Sequence, residues 1–346
     1  MNKGRKLATT IALCAAALAV PGSAMASPAG GGLAPAVRTH ATNGCNGAVV
    51  QTPRAGSELT ARSLGLPAAA DAFYAEAARH HVRWLSAMTC IRHNLSHALV
   101  PAGHSGASQA RTANALESSN WSGYQINQTA QYVQAGWTVP AVVTPKPGYS
   151  TTGYYSSSWA GLGGGFNSGS GALIQAGTEQ DLSASGVASY YFWYEIVGGT
   201  GDTRGSVQVP LAVHPGNVVG AVALWTPAGG AEMGDCNFTT GTCLSYSLAS
   251  SAPGTSEEWI VEAPSQYGFI LPLADFGSVT FINACWATTY VKGAQCYTIS
   301  AGGPTPIYLY SYVLRSEQEL AGPGPLNSTG NGFTDYYYQP ARNVCC

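Results

Sequence analysis

The chain has 346 residues, of which only 9% are charged, and the charge is unevenly placed. Residues 27–116 hold seven arginines and three acids, net +4, whereas residues 117–346 hold five Lys or Arg and fourteen acids, net −9. An acidic body of this kind disfavours a nucleic-acid binder, and no stretch after the first 26 residues is apolar enough to span a bilayer.

In chain order, the first element is a leader. Lys3, Arg5 and Lys6 precede an apolar run from Leu7 to Val20, and Ala24-Met25-Ala26 offers a small-x-small cleavage site. Residues 1–26 therefore read as a signal peptide of a secreted protein. Loss of Cys14 with the leader leaves eight cysteines, an even number that fits an oxidising compartment.

Residues 27–116 form a basic, His-rich front that carries six of the seven histidines. Set against an acidic body, it reads as a propeptide held by charge complementarity. Within it, "DAFYAEAARHHVRWLSAMTCIRHNL" has apolar positions at helical spacing, which predicts one amphipathic helix over about 71–95. Cys45 and Cys90 are expected to pair. Residues 100–116 read as an exposed, cleavable linker.

The body, 117–346, consists of short runs of Val, Ile, Tyr, Trp and Thr broken by Gly, Pro, Asn and Ser. That texture predicts an all-β fold, an antiparallel sandwich of two sheets or a barrel. Cys236 and Cys243 flank "NFTTGT" and Cys285 and Cys296 bracket "WATTYVKGAQ", so each pair is expected to staple a hairpin. The vicinal Cys345 and Cys346 have no assigned partners. No Cys-x-x-Cys pair with histidines is present, so no metal is expected.

Several peptidase chemistries fail on the body. Serine and cysteine sites require a histidine base, and the body offers only His214, in the turn-like "AVHPGN". His-Glu-x-x-His is missing, and neither "GDTRG" nor "ADFGS" fits a paired-aspartate turn. Carboxylates and amides remain. In "SEEWIVEAP" the apolar triplet Trp259-Ile260-Val261 predicts a strand closed by Pro264. Glu258 and Glu262 then share a face roughly 13 Å apart, too far for a paired-carboxylate glycosidase site on their own. Glu257 reads as a solvated position.

"SSNWSGY" from Ser118, "GWTVPAV" from Gly136, "SSWAGLGG" from Ser157, "ALIQAGTE" from Ala172, "FWYE" from Phe192, "EEWIVEAP" from Glu257 and "LADFGSVTFINA" from Leu273 occur in the order seen in glutamic peptidases, the eqolisins. The chain resembles that family from about Ser118 to near Tyr338. The resemblance implies a secreted acid endopeptidase made as a precursor, pepstatin-insensitive, with a sandwich of two antiparallel sheets and no cofactor. By motif position it places the catalytic glutamine at Gln175 and the glutamate at Glu262. Such a glutamate either withdraws a proton from water or, starting protonated, acts as an acid on the scissile carbonyl, while the amide orients the water and donates to the oxyanion. The unperturbed glutamate pKa of about 4.3 suits acid conditions.

The same resemblance places Trp121, Trp159 and Glu195 along a substrate cleft, with Glu258 as a further cleft residue. One departure stands out: where the family commonly has an Asp after Trp-x-Gly-Ile, followed by Gly, this chain reads "WAGLGGG" and carries Gly163. Polypeptide substrates and the chain's own propeptide are the expected partners, and a monomer is the expected state. Two rival readings use the same composition. One is a carbohydrate-binding sandwich with aromatic platforms such as "YYFWYE" and "TDYYYQ"; the other is a glycoside hydrolase using Glu195 and Glu262.

Overall fold

Strict alternation of side chains assigns each body strand two faces. In Leu173–Ser183, Ile174 and Ala176 enter the main core while Leu173 joins a separate cluster on the opposite side. The same split holds in Ala188–Val197, where Phe192, Tyr194 and Ile196 face the core and Tyr191 and Trp193 face away from it. The computed structural model describes residues 37–41, 45–53, 77, 79–101, 115–146, 148, 150–226, 229–289, 295–313 and 316–338. All of these lie in the unit that runs from Pro35 to Cys346.

The strands pair in a nearly all-antiparallel ladder that folds over to make two layers. One layer orders Ala188–Val197, Leu173–Ser183, Gly153–Gly163, Glu257–Glu262, Trp121–Ile126, Thr305–Val313 and Ser316–Pro323. The other orders Phe333–Tyr337, Ser278–Ala287, Tyr132–Thr138, Val218–Thr226, Gly230–Asn237 and Thr242–Ala249. Ser316–Pro323 pairs with Phe333–Tyr337 and joins the layers. Val218–Thr226 packs across Gly153–Gly163 and Leu173–Ser183, so the fold is the expected sandwich. Trp137, Trp259, Phe192 and Phe281 are wholly buried between the layers. Burial of side chains this large stabilises the fold by roughly 1.5–3 kcal/mol each.

The front of the chain is part of the same ladder. Val49–Pro53 pairs with residues 245–247 of Thr242–Ala249, and Ala48 and Val50 are fully buried. Arg83–Trp84 pairs with residues 242–243, Ile91–Arg92 with Val207–Gln208, and Leu95–Ser96 with Ser265–Gln266.

These pairings correct the helix expected over 71–95. Residues 71–76 lie outside the described residues, Ala77 and Arg79 are helical, and from His80 onward the chain runs through turns and short strands. Body strands supply backbone partners at three points, and the disulfide from Cys45 fixes Cys90. Together these outweigh helical periodicity. Of the linker, residues 102–114 lie outside the described residues. Leu116–Ser118 is a strand parallel to Thr305–Val313. Cys236–Cys243 and Cys285–Cys296 are also bonded. The leader and Cys345–Cys346 lie outside the described residues.

Candidate active site

The outer face of the first layer gathers the candidate side chains into rows set by strand register. Gln175 stands opposite Glu195 on one side and Gly161 on the other, and Gly161 stands opposite Glu258. Four residues further along, Glu179 stands opposite Ser157, Ser157 opposite Glu262, and Glu262 opposite Trp121. Between the rows lies Trp159, beside Gly177 and Ile260. A Cβ at Gly177 would come within 2.5 Å of the Trp159 Cβ, so the indole needs a glycine as its neighbour.

Glu262 is fully buried, and N–H donors hold both its oxygens. Asn120 Nδ2 donates to Oε1 at 2.8 Å and Trp159 Nε1 to Oε2 at 2.8 Å. Trp121 meets Trp159 edge to face at 4.9 Å, closing one wall. Burial raises the Glu262 pKa well above the ordinary carboxylate range, and the nearby His97 charge and the Trp159 N–H act against that rise. An unperturbed value is thus not what this glutamate has under its cover.

Gln175, also fully buried, donates from Nε2 to Glu195 Oε2 at 3.1 Å. Its Oε1 has no hydrogen-bond partner among the described residues. Glu258 shares the Gln175 row but is wholly buried against Gly165, where a Cβ would lie 2.5 Å from Glu258 Oε1. Burial raises its pKa well above the ordinary range. Glu257, expected in solvent, is instead buried on the core side, and burial pushes its pKa up to about 9.

A segment of the front lies over this face, held at successive residues. Ser265 Oγ donates to the Ser96 carbonyl at 3.2 Å, Trp121 Nε1 to the His97 carbonyl at 3.2 Å, and Asn120 Nδ2 to the Ala98 carbonyl at 2.9 Å. Val100 N donates to Asn120 Oδ1 at 2.8 Å, and Ser119 N to the Val100 carbonyl at 2.9 Å. Leu99 and Leu116 pack on the cluster of Trp121, Trp159, Trp193 and Ile260.

His97 enters deepest. Glu195 Oε2 accepts from its backbone N at 2.8 Å and lies 3.1 Å from Nδ1, while Nε2 lies 3.0 Å from Glu179 Oε2. Burial opposes a charge on this imidazole, but the two carboxylate hydrogen bonds outweigh it, and the pKa is pushed up to about 10.

Sequence reasoning missed Glu179, Asn120, Trp193 and His97. The first three sit inside motifs already singled out. Alternation along "QAGTE" places Glu179 on the Gln175 face, and Asn120 and Trp193 adjoin Trp121 and Tyr194. His97 carries no such local signal. His214 is exposed at a turn. The "YYFWYE" aromatics form no open platform, since Tyr191, Phe192, Trp193 and Tyr194 are all buried. Among the described residues, no group of His, Cys, Asp and Glu has the arrangement of a metal site.

Aspergillopepsin-2 of Aspergillus niger is 28% identical over 192 residues, a match spanning 50% of this chain and 66% of that protein. The crystal structure of scytalido-glutamic peptidase with a transition state analog inhibitor superposes with a TM-score of 0.49 at 18% identity, over 64% of this chain and 98% of that one. Aspergilloglutamic peptidase from Aspergillus niger gives a TM-score of 0.41 at 25% identity, over 54% and 99%. Residues 119–317, more than half of the chain, match the peptidase A4 family. The chain therefore belongs to the peptidase A4 family.

Proposed function

We propose that the chain is a secreted glutamic endopeptidase, active in acid and unaffected by pepstatin, in which Glu262 and Gln175 act on a peptide bond of a polypeptide substrate. The observation that carries this reading is the setting of Glu262: a buried carboxylate with both oxygens fixed by Trp159 and Asn120, the same Asn120 also holding a main-chain carbonyl of an extended segment.

In this mechanism the covering segment leaves first, water reaches Glu262 and relieves the burial that raises its pKa, and the carboxylate then takes one proton from a water molecule as the water oxygen attacks the scissile carbonyl carbon. One N–H of Gln175 is committed to Glu195, which fixes the amide. The second N–H donates to the oxyanion, and the unpaired Oε1 accepts from the attacking water. Glu262 then passes its proton to the amide nitrogen as the C–N bond breaks, leaving a carboxyl and an amine. Trp159 and Asn120 hold the carboxylate in place throughout, and Glu195 is a positioning residue.

Residues 95–101 act as the covering part of a propeptide. His97 bridges two carboxylates of the site and Leu99 fills its apolar wall, so substrate and segment compete for one surface.

The test is cleavage of a denatured protein between pH 2 and 7 with pepstatin present, by the secreted chain and by Glu262→Gln. Pepstatin-resistant cleavage in acid that is lost in the variant supports the reading. A folded wild type that never cleaves, or a variant that cleaves as well as wild type, overturns it.

A further inference from the structure

The surroundings of His97 are a cation box contributed entirely by the body. Glu179 and Glu195 approach the two edges of the imidazole at 3.0 and 3.1 Å, and Trp193 lies against its face with ring centroids 3.8 Å apart. Glu179, Glu195 and Trp193 are at most 1% exposed. Carboxylates at the edges and an indole on the face satisfy a compact or planar cation through charge-assisted hydrogen bonds and cation–π attraction. A neutral side chain would leave two buried carboxylates without a counter-charge, which strongly disfavours it.

The occupant arrives as a peptide would. Its main chain adds to the Ser265–Gln266 edge through Leu95–Ser96 and is then held by Trp121 and Asn120, while the His97 side chain fills the box. Backbone pairing for affinity with a pocket for one side chain is a general mode of peptide recognition. The Ala98 carbonyl that follows meets Asn120, which also holds Glu262, so the box lies one residue before the carbonyl at the catalytic carboxylate.

Resting on the peptidase reading, we propose that Glu179, Glu195 and Trp193 form a specificity subsite for a basic side chain of the polypeptide substrate, Arg, Lys or His, and that His97 is its resident occupant in the precursor. Selectivity comes from charge at a fixed distance from the cut.

The full-length secreted chain, incubated in acid until it cleaves a denatured protein, is given two peptides identical except for Arg or citrulline at the box position. Expected is a kcat/KM at least about tenfold higher for the Arg peptide, carried mainly by KM. In Glu179→Gln the ratio falls to within about twofold of one. Mass-spectrometric mapping of wild-type cuts in a denatured protein mixture decides without any variant: basic residues should be enriched at one position within two residues of the cut. Equal rates on the two peptides, no enrichment, or a ratio unchanged in Glu179→Gln overturns the subsite while leaving the peptidase reading standing. Absence of all acid cleavage overturns both.

Discussion

The imidazole of His97 lies flat on the indole of Trp193, with ring planes 12° from parallel. This contact carries the front segment onto the face that holds Glu262, and it is the most heavily bonded point of the cover. Replacing His97 by Ala in the full chain leaves Glu179 and Glu195 buried without their shared cation. Breaking such a buried pairing costs about 3–5 kcal/mol. The variant is expected to cleave a reporter peptide in mild acid without the lag expected of wild type, and to expose the bonds near residue 97 to an added protease at neutral pH. Progress curves with and without acid preincubation measure the first, and limited proteolysis followed by mass spectrometry the second.

Loss of either proposed catalytic group should separate activity from folding. Glu262→Gln keeps the shape that Trp159 and Asn120 surround but cannot accept a proton, and kcat should fall by about 10²–10⁴. Gln175→Ala removes the oxyanion donor, for which a fall of about 10²–10³ is expected. Thermal unfolding shows whether the fold survives, and single-turnover rates then give the chemical cost.

Stability should rise as the solution is made acidic. Burial raises the pKa of Asp235, Glu258, Glu262 and Asp335 well above ordinary values, and pushes Glu257 and Asp181 each to about 9. Each group binds a proton more tightly folded than unfolded, so its contribution is fully present below the unfolded carboxylate range and declines as pH climbs toward the folded value. His97 acts in the same direction: its share is complete below about 6.5 and is lost as pH rises through about 10. The melting temperature is expected to climb between pH 9 and pH 4.5. A maximum at pH 8 contradicts the account.

Gly163 occupies the place where the family resemblance expects an Asp, and its backbone is one that suits glycine. Its φ is +88°, and an added Cβ would lie 2.4 Å from the Ala172 carbonyl oxygen and 2.7 Å from that of Pro253. Gly163→Asp should therefore lower the melting temperature by several degrees, and Gly163→Ala nearly as much, because the penalty belongs to the Cβ and the left-handed backbone. Scanning calorimetry of the two variants checks this. A stabilised Asp variant would show that the loop can re-form around a side chain.

How far the sequence revealed this arrangement depends on whether a partner was near in the chain. The alternation in "ALIQAGTEQ" already assigns Gln175 and Glu179 to one face, and the cysteine spacings within single hairpins point to their own pairs. The stretch 80–95 misleads because its strand partners lie at residues 207–208, 242–243 and 265–266, and helical periodicity competes only with what is local. His97 is invisible for the same reason: its carboxylate partners are 82 and 98 residues away. The body's own His214 is exposed at a turn, and the fold brings His97 in from the front.

The pairing of Val49–Pro53 with Thr242–Ala249, together with the Cys45–Cys90 bond, changes what a single cut means. A nick anywhere in residues 102–114 would leave the N-terminal fragment threaded into the sandwich, with Ala48 and Val50 still in the core. The product would migrate as one particle under native conditions and as two polypeptides in denaturant. A recombinant body begun at residue 117 would instead present residues 242–247 as a bare sheet edge, open to pairing with a second molecule.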